Sequence, residues 1–159
     1  MSSQQETQVE VLLVEDSDDD AEMTIDALNG CRLGNRIVRL ADGQAALDYL
    51  LLQDGYSERS NGMPKLVLLD INMPKVGGLE VLRQLRAHPS TTRLPIVLLT
   101  SSAEERDRHA AYNLHVNSYI VKPVDFEQFV RAIRDVGLYW LVLNRVDESP
   151  PDEPSMVSQ

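Results

Sequence analysis

The sequence predicts an α/β fold in which a doubly wound, five-stranded parallel sheet is covered on both faces by five helices. The first observation is that short apolar segments alternate along the chain with segments whose apolar residues recur at helical spacing. The second is that the apolar segments are mostly continuous, which is typical of parallel strands buried on both faces. The third is that 159 residues suffice for a single domain with a sizeable core.

The first half of the chain predicts three strands and two helices. The apolar run VEVLLV at 9–14 predicts the first strand, and the acidic residues after it favour the start of a helix at 21–28. RIVRLA at 36–41 predicts the second strand, and an Asp-Gly turn leads from it into the helix QAALDYLLL at 44–52. A polar loop then separates this helix from KLVLLD at 65–70, the third strand.

The second half of the chain repeats the alternation. GLEVLRQLRAH at 78–88 has leucines at helical spacing and is followed by a proline, which predicts the third helix and its end. LPIVLLT at 94–100 predicts the fourth strand, and SAEERDRHAAYNL at 102–114 predicts the fourth helix. NSYIVKP at 117–123 predicts the fifth strand, and DFEQFVRAIRDVGLYWLVLN at 125–144 predicts one long final helix.

Composition and charge restrict the expected partners and compartment. The chain has 15 basic and 25 acidic residues and a formal net charge of −10, which argues against binding to nucleic acid or to anionic membranes. No apolar run approaches the ~20 residues of a membrane span, and the N-terminus lacks the pattern of a signal peptide. A single cysteine, Cys31, excludes an internal disulfide and fits a reducing compartment. A soluble, cytoplasmic protein is therefore expected.

Polar side chains stand at the carboxyl ends of four predicted strands. Glu15 and Asp16 follow the first strand, Asp70 ends the third, Thr100 ends the fourth and Lys122 follows the apolar run of the fifth. Because the carboxyl ends of parallel strands share one edge of the sheet, these residues are expected to meet in one crevice. Open α/β sheets bind their ligands in such crevices.

The residue types at this edge indicate a metal and a phosphoryl group. Three carboxylates in one small site repel each other by roughly 4 kcal/mol per pair at ~4 Å and an effective dielectric of about 20. Such a cluster requires a hard divalent cation, and an all-oxygen ligand set suits Mg²⁺. A lysine and a threonine hydroxyl opposite the metal match the oxygens of a phosphoryl group. Asp70 is therefore predicted to be a nucleophile that accepts a phosphoryl group and forms an acyl phosphate.

Each of these residues also has a plain structural interpretation. Asp16 or one of its neighbours is suited to cap the first helix, and Thr100 lies in TSSAEE, which resembles a capping box. Lys122 is one of 15 basic residues and is compatible with an ordinary solvated charge. The joint placement of all these residues at one sheet edge favours a functional site over coincidence.

Together these motifs resemble the response-regulator receiver domain of two-component signalling. The family's fold implies a flavodoxin-like sheet with strand order 2-1-3-4-5. The resemblance implies a receiver domain at 8–146, and composition predicts a flexible N-terminus at 1–7 and a disordered acidic, proline-rich tail at 147–159. The matching motifs are the acidic pair Glu15-Asp16, the phosphoacceptor segment LLDINMP with Asp70, the segment LLTSS with Thr100, and Lys122-Pro123.

The resemblance implies a role for each matching residue. Asp70 is the residue that a partner histidine kinase phosphorylates. The groups implied to hold the phosphoryl oxygens are Lys122, Thr100 and backbone amides near Met73 and Ser101. The implied Mg²⁺ ligands are Asp16, Asp70 and the backbone carbonyl of Asn72, with Glu15 acting through water.

The resemblance also implies a conformational switch. On phosphorylation Thr100 moves toward the phosphoryl group and Tyr119 turns inward. The Lys122–Pro123 peptide bond is expected to be cis, as is usual in the family. Beyond phosphotransfer onto Asp70 and hydrolysis of the resulting acyl phosphate, no enzymatic activity is implied.

Within the family the chain is most similar to the small single-domain regulators associated with phytochromes. The narrower likeness is carried by the loop YSERSNGMP, the segment AHPSTTRLPIVLLTSS and the YWLVLN of the final helix. It implies a bacterial phytochrome histidine kinase as the partner. One departure is Glu15, where the family more commonly has Asp.

Two other functions are left open by the residues. A Mg²⁺-dependent phosphohydrolase with an aspartyl nucleophile generally needs a second acid two residues later, where this chain has Asn72. A receiver-like scaffold that takes no phosphoryl group is expected to lack a key residue, and none is missing.

The final helix predicts a homodimer. A core-facing stripe recurs at helical spacing, yet VGLYWLVL at 136–143 has no charged residue and is apolar all round. The predicted dimer face consists of Leu138, Tyr139 and Leu141. The predicted core-facing stripe consists of Phe126, Phe129 or Val130, Ile133, Val136 and Trp140.

Overall fold

The computed structural model describes residues 9–29, 37–60, 62–110 and 116–137. Within them five strands alternate with five α-helices, and a short 3₁₀ helix spans Asp54–Tyr56. The strands are β1 (Val11–Val14), β2 (Ile37–Leu40), β3 (Leu66–Asp70), β4 (Ile96–Thr100) and β5 (Ser118–Val121). The helices are α1 (Asp18–Leu28), α2 (Gly43–Leu50), α3 (Gly78–Ala87), α4 (Ala103–Ala110) and α5 (Phe126–Asp135).

The strands form a parallel sheet in the order β2-β1-β3-β4-β5. The predicted fold class and strand order are both confirmed. The register pairs Asp70 of β3 with Leu99 of β4, and Thr100 of β4 with Val121 of β5. The carboxyl ends of these strands therefore lie side by side at one edge of the sheet.

The sheet is buried on both faces. One face packs against α1 and α5, where Leu13 of β1 and Phe129 of α5 belong to the same core cluster. The opposite face packs against α2 and α3, where Leu12 of β1 clusters with Leu50 and Leu82. Because alternate residues of a strand point to opposite faces, a sheet covered on both sides requires strands that are apolar throughout.

Helix caps resolve two of the structural alternatives left by the sequence. Helix α1 begins at Asp18, earlier than predicted, because the Ser17 side chain accepts a hydrogen bond from the Asp20 backbone N–H at 3.1 Å. Ser17, rather than Asp16, is therefore the cap of α1. At α4 the Ser102 hydroxyl takes the corresponding position, and Thr100 is left to end its strand.

The prediction of one continuous helix at 125–144 is wrong at Gly137. Helix α5 ends at Asp135; the Val136 N–H then donates to the Ala132 carbonyl, and the Gly137 N–H donates to the Arg134 carbonyl in a tighter turn. Gly137 then has φ +81°, a left-handed conformation that ends helices and that glycine adopts without a Cβ clash.

The predicted core stripe of α5 is correct in its middle and wrong at its start. Phe129 and Ile133 are fully buried, whereas Phe126 is 40% exposed. Asp125 caps the helix, so Phe126 is its first residue, and the buried apolar residue at this end is Val124, just before the cap. At this end of α5 the residue that packs into the core is therefore Val124, which precedes the helix, and not Phe126.

Several predictions lie outside the described residues. They are the terminal segments 1–7 and 147–159, Trp140, and the dimer-face residues Leu138, Tyr139 and Leu141. Within the described ranges, none of the helices combines the length and apolar character needed to span a membrane.

Candidate functional site

The predicted site residues meet at the carboxyl edge of the sheet. The Lys122 Nζ atom lies 3.4 Å from Asp70 Oδ1 and 3.2 Å from Glu15 Oε1. Glu15, Asp70 and Thr100 are almost completely buried, while Asp16 is exposed. One carboxyl group just after β1, one at the end of β3 and one ammonium group thus form a compact centre beneath the surface.

Three carboxylates at this centre are arranged to hold a metal ion. One oxygen from each of Glu15, Asp16 and Asp70 lies within 4.8 Å of the other two. The donor set is entirely oxygen, and exposed Asp16 leaves one side open to water, which fits the partly hydrated Mg²⁺ ion. The residues present therefore fit the cation that the sequence predicts.

Burial makes the two inner carboxyls difficult to ionise. It raises the pKa of Glu15 to about 7, and the neighbouring Asp70 carboxyl, which shares a hydrogen bond with Glu15, adds to the rise. Burial also raises the pKa of Asp70, although the hydrogen bond from Glu15 and the charge of Lys122 oppose it. A cation bound beside these groups would stabilise their ionised forms, and the ionised form of a carboxyl is the nucleophilic one.

Lys122 is held by three carboxylates, one of which the sequence analysis missed. Its Nζ lies 3.0 Å from Asp20 Oδ2, in addition to its contacts with Glu15 and Asp70. Burial would lower the pKa of Lys122, but the hydrogen bond to Asp20 and the charges of the other two carboxylates raise it overall. The lysine is therefore a fixed cation. The peptide bond between Lys122 and Pro123 is cis.

Arg39 of β2 is a second residue that the sequence analysis missed. Its guanidinium donates to the Glu15 backbone carbonyl through Nε at 2.9 Å and Nη2 at 2.7 Å. Its Nη1 also donates to Asp18 Oδ1 at 2.8 Å. Arg39 thus fixes the loop between β1 and α1 that carries the acidic pair. The only available sign was a charge in the otherwise apolar strand IVRL.

The loop after β3 returns to Asp70. The Asn72 N–H donates to Asp70 Oδ1 at 3.2 Å, and the Gly78 N–H donates to the Ile71 carbonyl at 3.0 Å. Helix α3 begins so close to the end of β3 that a Cβ on Gly78 would lie 2.3 Å from the Asp70 carbonyl oxygen. Of the two glycines at 77 and 78, the second is therefore required by packing against the end of β3.

Glu105 gathers the polar groups after β4. Its Oε1 accepts hydrogen bonds from Thr100 Oγ1 at 2.8 Å, Ser101 Oγ at 2.7 Å and the Ser101 N–H at 3.2 Å. These bonds, the Ser101 hydroxyl first among them, lower the pKa of Glu105 to about 2. The carboxylate is therefore ionised at neutral pH. Glu105 was not among the residues predicted from the sequence.

Tyr119 lies on β5 on the same side of the sheet as Thr100. The register pairs Tyr119 with Leu98 and Val121 with Thr100, and residues two apart on a strand share a face. The ring packs against the core cluster of α2 and α3. Its hydroxyl is buried and has no hydrogen-bond partner within the described part of the chain. The tyrosine is thus close to the Thr100 strand end and weakly held at its polar tip.

Comparison with known proteins identifies the family of the chain. Residues 11–134 match the model of the response regulator receiver domain. The "Probable methanogenesis regulatory protein FilR2" of Methanothrix harundinacea is 42% identical over 135 residues, which cover 85% of each chain. Response regulator Rcp1 of a Synechocystis strain is 36% identical over 131 residues, covering 82% of this chain and 88% of Rcp1.

Solved structures give the same result. The bacteriophytochrome response regulator RtBRR superposes with a TM-score of 0.80 and 46% identity, over 89% of this chain and 86% of RtBRR. The Mn²⁺-bound form of Rcp1 superposes with a TM-score of 0.64 and 36% identity, over 82% of this chain and 93% of that one.

Proposed function

The chain belongs to the response regulator receiver domain family, and from this premise we propose that a sensor histidine kinase transfers a phosphoryl group to Asp70. The resemblance predicted from the strand-end motifs is confirmed, as is the function of a response regulator related to those of phytochromes. The assignment of the accepting residue is part of the proposal.

One observation carries this assignment. Asp70 is 1% exposed, ends a central strand and lies 3.4 Å from the ammonium group of Lys122, within the carboxylate cluster of Glu15 and Asp16. Burying a carboxylate costs free energy unless it is paired, and buried carboxyls beside a specific charge partner are concentrated at functional sites. Accepting a phosphoryl group beside a fixed cation is the function that this position supports.

The proposed reaction is a displacement at phosphorus. An Asp70 carboxylate oxygen attacks the phosphorus of a phosphohistidine, a new P–O bond forms and the P–N bond breaks. The electron pair of that bond remains on the imidazole, which leaves the site. Lys122, together with the Thr100 hydroxyl and the nearby backbone amides, would stabilise the negative charge of the phosphoryl oxygens.

Mg²⁺ is the proposed cofactor. When bound, it would neutralise charge on the carboxylates and on the transferring group. Its proposed protein ligands are Asp16, Asp70 and the backbone carbonyl of Asn72, with Glu15 acting through water. The oxygen cluster of the acidic residues and the Mn²⁺-bound form of the related Rcp1 support this proposal.

We further propose that Thr100 and Tyr119 form the switch. A phosphoryl group on Asp70 would attract the Thr100 hydroxyl, and the space that it leaves would admit the ring of Tyr119. The unpartnered hydroxyl of Tyr119, within the described residues, removes one obstacle to that rotation.

The proposed partner is a phytochrome-type histidine kinase. Receiver domains act with histidine kinases, and the structural relative RtBRR is described as a bacteriophytochrome response regulator. The single cysteine fits a reducing cytoplasm, which we propose as the compartment.

Incubation of the purified protein with acetyl phosphate and Mg²⁺ tests the function without the kinase. We expect intact-mass measurement to show one added phosphoryl group, and little addition when EDTA removes the metal, because the uncompensated carboxylates repel the donor. Equal labelling with and without metal would contradict the proposed cofactor, and no labelling in either case would contradict the function.

A homodimer through the final segment remains a sequence-based proposal. We expect light scattering to detect a dimer at tens of micromolar protein, with or without beryllofluoride, since VGLYWLVL has no charge. Leu138→Asp and Leu141→Asp should weaken it by placing a charge among the apolar residues. A wild-type protein that is monomeric in both states would rule out this dimer.

A further inference from the structure

One carboxylate outside the proposed metal cluster holds the polar groups that end β4. Glu105 Oε1 accepts from the Thr100 hydroxyl, the Ser101 hydroxyl and the Ser101 backbone N–H at 2.7–3.2 Å. The Asn72 side-chain amide approaches the same oxygen at 3.4 Å. A single oxygen thus collects donors from both loops that border Asp70.

Helix capping does not explain this arrangement. The cap of α4 is the Ser102 hydroxyl, which accepts from the Glu105 N–H at 3.1 Å. In a capping box the glutamate would return to the backbone N–H of the cap residue itself, Ser102. Here it passes that group and bonds to the preceding Ser101 and to buried Thr100. The carboxylate is therefore directed toward the site rather than toward the end of its own helix.

The donors that Glu105 holds are those that the proposed function assigns to the phosphoryl group. The Thr100 hydroxyl has one proton and can donate it to one strong acceptor at a time. While it donates to Glu105, it is unavailable to a phosphoryl oxygen on Asp70, and the same holds for the Ser101 N–H. A carboxylate and a phosphoryl group, both negatively charged, therefore compete for one set of donors.

We propose that Glu105 is a positioning residue that holds Thr100 and Ser101 on α4 in the unphosphorylated protein and must release them on phosphorylation. This inference rests on the proposed function of Asp70. Glu105 acts as an internal competitor of the phosphoryl group, and its release frees the start of α4 at the moment when Thr100 turns to Asp70. The hydrogen bonds from Thr100 and Ser101 to Glu105 thus oppose phosphorylation-dependent activation, and breaking them couples activation to the start of α4.

Binding of beryllofluoride, a phosphoryl mimic, measures this competition directly. We expect Glu105→Gln to bind beryllofluoride in the presence of Mg²⁺ about tenfold more tightly than wild type in calorimetric titrations. That is the size expected for one hydrogen bond to a charged group. Glu105→Ala should act in the same direction, and it provides a second variant that lacks any acceptor.

Glu104→Gln is the matched control. Glu104 is the adjacent, exposed residue of the same first turn, so its replacement removes the same charge one residue nearer the start of the helix. We expect its affinity for beryllofluoride to stay within about twofold of wild type, because the helix-end charge effect is small at exposed sites. Equal tightening by Glu104→Gln and Glu105→Gln would overturn the inference in favour of a general charge effect.

The Thr100→Val background tests whether Glu105 acts through Thr100. In a double-mutant cycle the gain from Glu105→Gln should be smaller once the hydroxyl is absent, and the part that remains reflects release of the Ser101 N–H. A gain that persists in full, or a Glu105→Gln protein that binds no more tightly than wild type, would overturn the inference. Thermal unfolding of each variant separates a loss of fold from a change in affinity.

The result for wild type distinguishes the two proposals. If wild type binds beryllofluoride and Glu105→Gln does not differ from it, the role of Glu105 fails while the proposed function of Asp70 stands. If neither wild type nor any variant binds it, the proposed phosphoryl site itself fails, and the inference fails with it.

Discussion

Replacing Asp70 with Asn is expected to abolish labelling by acetyl phosphate. The amide has nearly the shape of the carboxylate but lacks the negatively charged oxygen that attacks phosphorus. Asp70 Oδ1 lies 3.4 Å from the Lys122 Nζ atom, so a phosphoryl group on Asp70 would be close to this cation. Intact-mass measurement after incubation with acetyl phosphate and Mg²⁺ should show the added phosphoryl group on wild type and none on Asp70→Asn.

Asp26→Asn is the matched control for this experiment. Asp26 is an exposed aspartate of α1, away from the carboxyl edge of the sheet, and its replacement should leave labelling unchanged. Asp70→Asn should also unfold at no lower temperature than wild type. Burial raises the pKa of Asp70, so its ionised form costs folding free energy above that pKa, and the neutral amide removes this cost. A stable phosphorylated adduct on folded Asp70→Asn would assign the acceptor to another residue.

The fold and the central site residues were predictable because each depends on a local pattern. Continuous apolar runs require burial on both faces, and parallel strands bring their carboxyl ends to one edge whatever the details of the helices. Asp70, Thr100 and Lys122 follow from these two facts alone. Their proposed roles at a phosphoryl group follow from residue type, whereas the proposed switch role of Thr100 comes from the resemblance.

Asp20, Arg39 and Glu105 were not predictable in this way. Each reaches the site from a helix or an edge strand, so its contact depends on how that element is rotated about its axis and on side-chain length. Asp20 is one of three consecutive aspartates, and only the packing of α1 selects it as the partner of Lys122 at 3.0 Å. Sequence spacing cannot separate these possibilities.

The error in the final helix has a different origin. The apolar periodicity of 125–144 continues through Gly137, and periodicity alone treats a glycine as a weak helix residue. The structure uses the same glycine at φ +81°, where its lack of a Cβ matters more than its low helix propensity. A glycine within an apolar helical pattern can therefore either continue the helix or end it, and only the backbone geometry shows which of the two occurs.

The strongest steric constraint on the site lies at Gly78. Helix α3 starts against the end of β3, and a Cβ built on Gly78 would lie 2.3 Å from the Asp70 carbonyl oxygen and 2.8 Å from the Ile71 Cα. Both atoms belong to the backbone of the segment that carries Asp70, so they cannot rotate away as a side chain would. An added methyl group would have to displace either the helix or the strand end.

We therefore expect Gly78→Ala to lower the free energy of unfolding by about 3 kcal/mol or more, the upper range for overpacking a well-filled core. For a domain of this size that corresponds to a fall of roughly 10 °C in the unfolding temperature, measured by circular dichroism.

Gly77→Ala is the matched control, because a Cβ at that adjacent position would meet its nearest atom, the Ile71 carbonyl oxygen, at an ordinary 3.6 Å. Its cost should stay near 1 kcal/mol, that of a poorer helix cap. Labelling of the surviving folded Gly78→Ala protein should also slow, because any shift that relieves the contact moves the Asp70 backbone. Equal unfolding temperatures for the two variants would show that the first turn of α3 moves away from β3 at little cost, contrary to the packing inferred here.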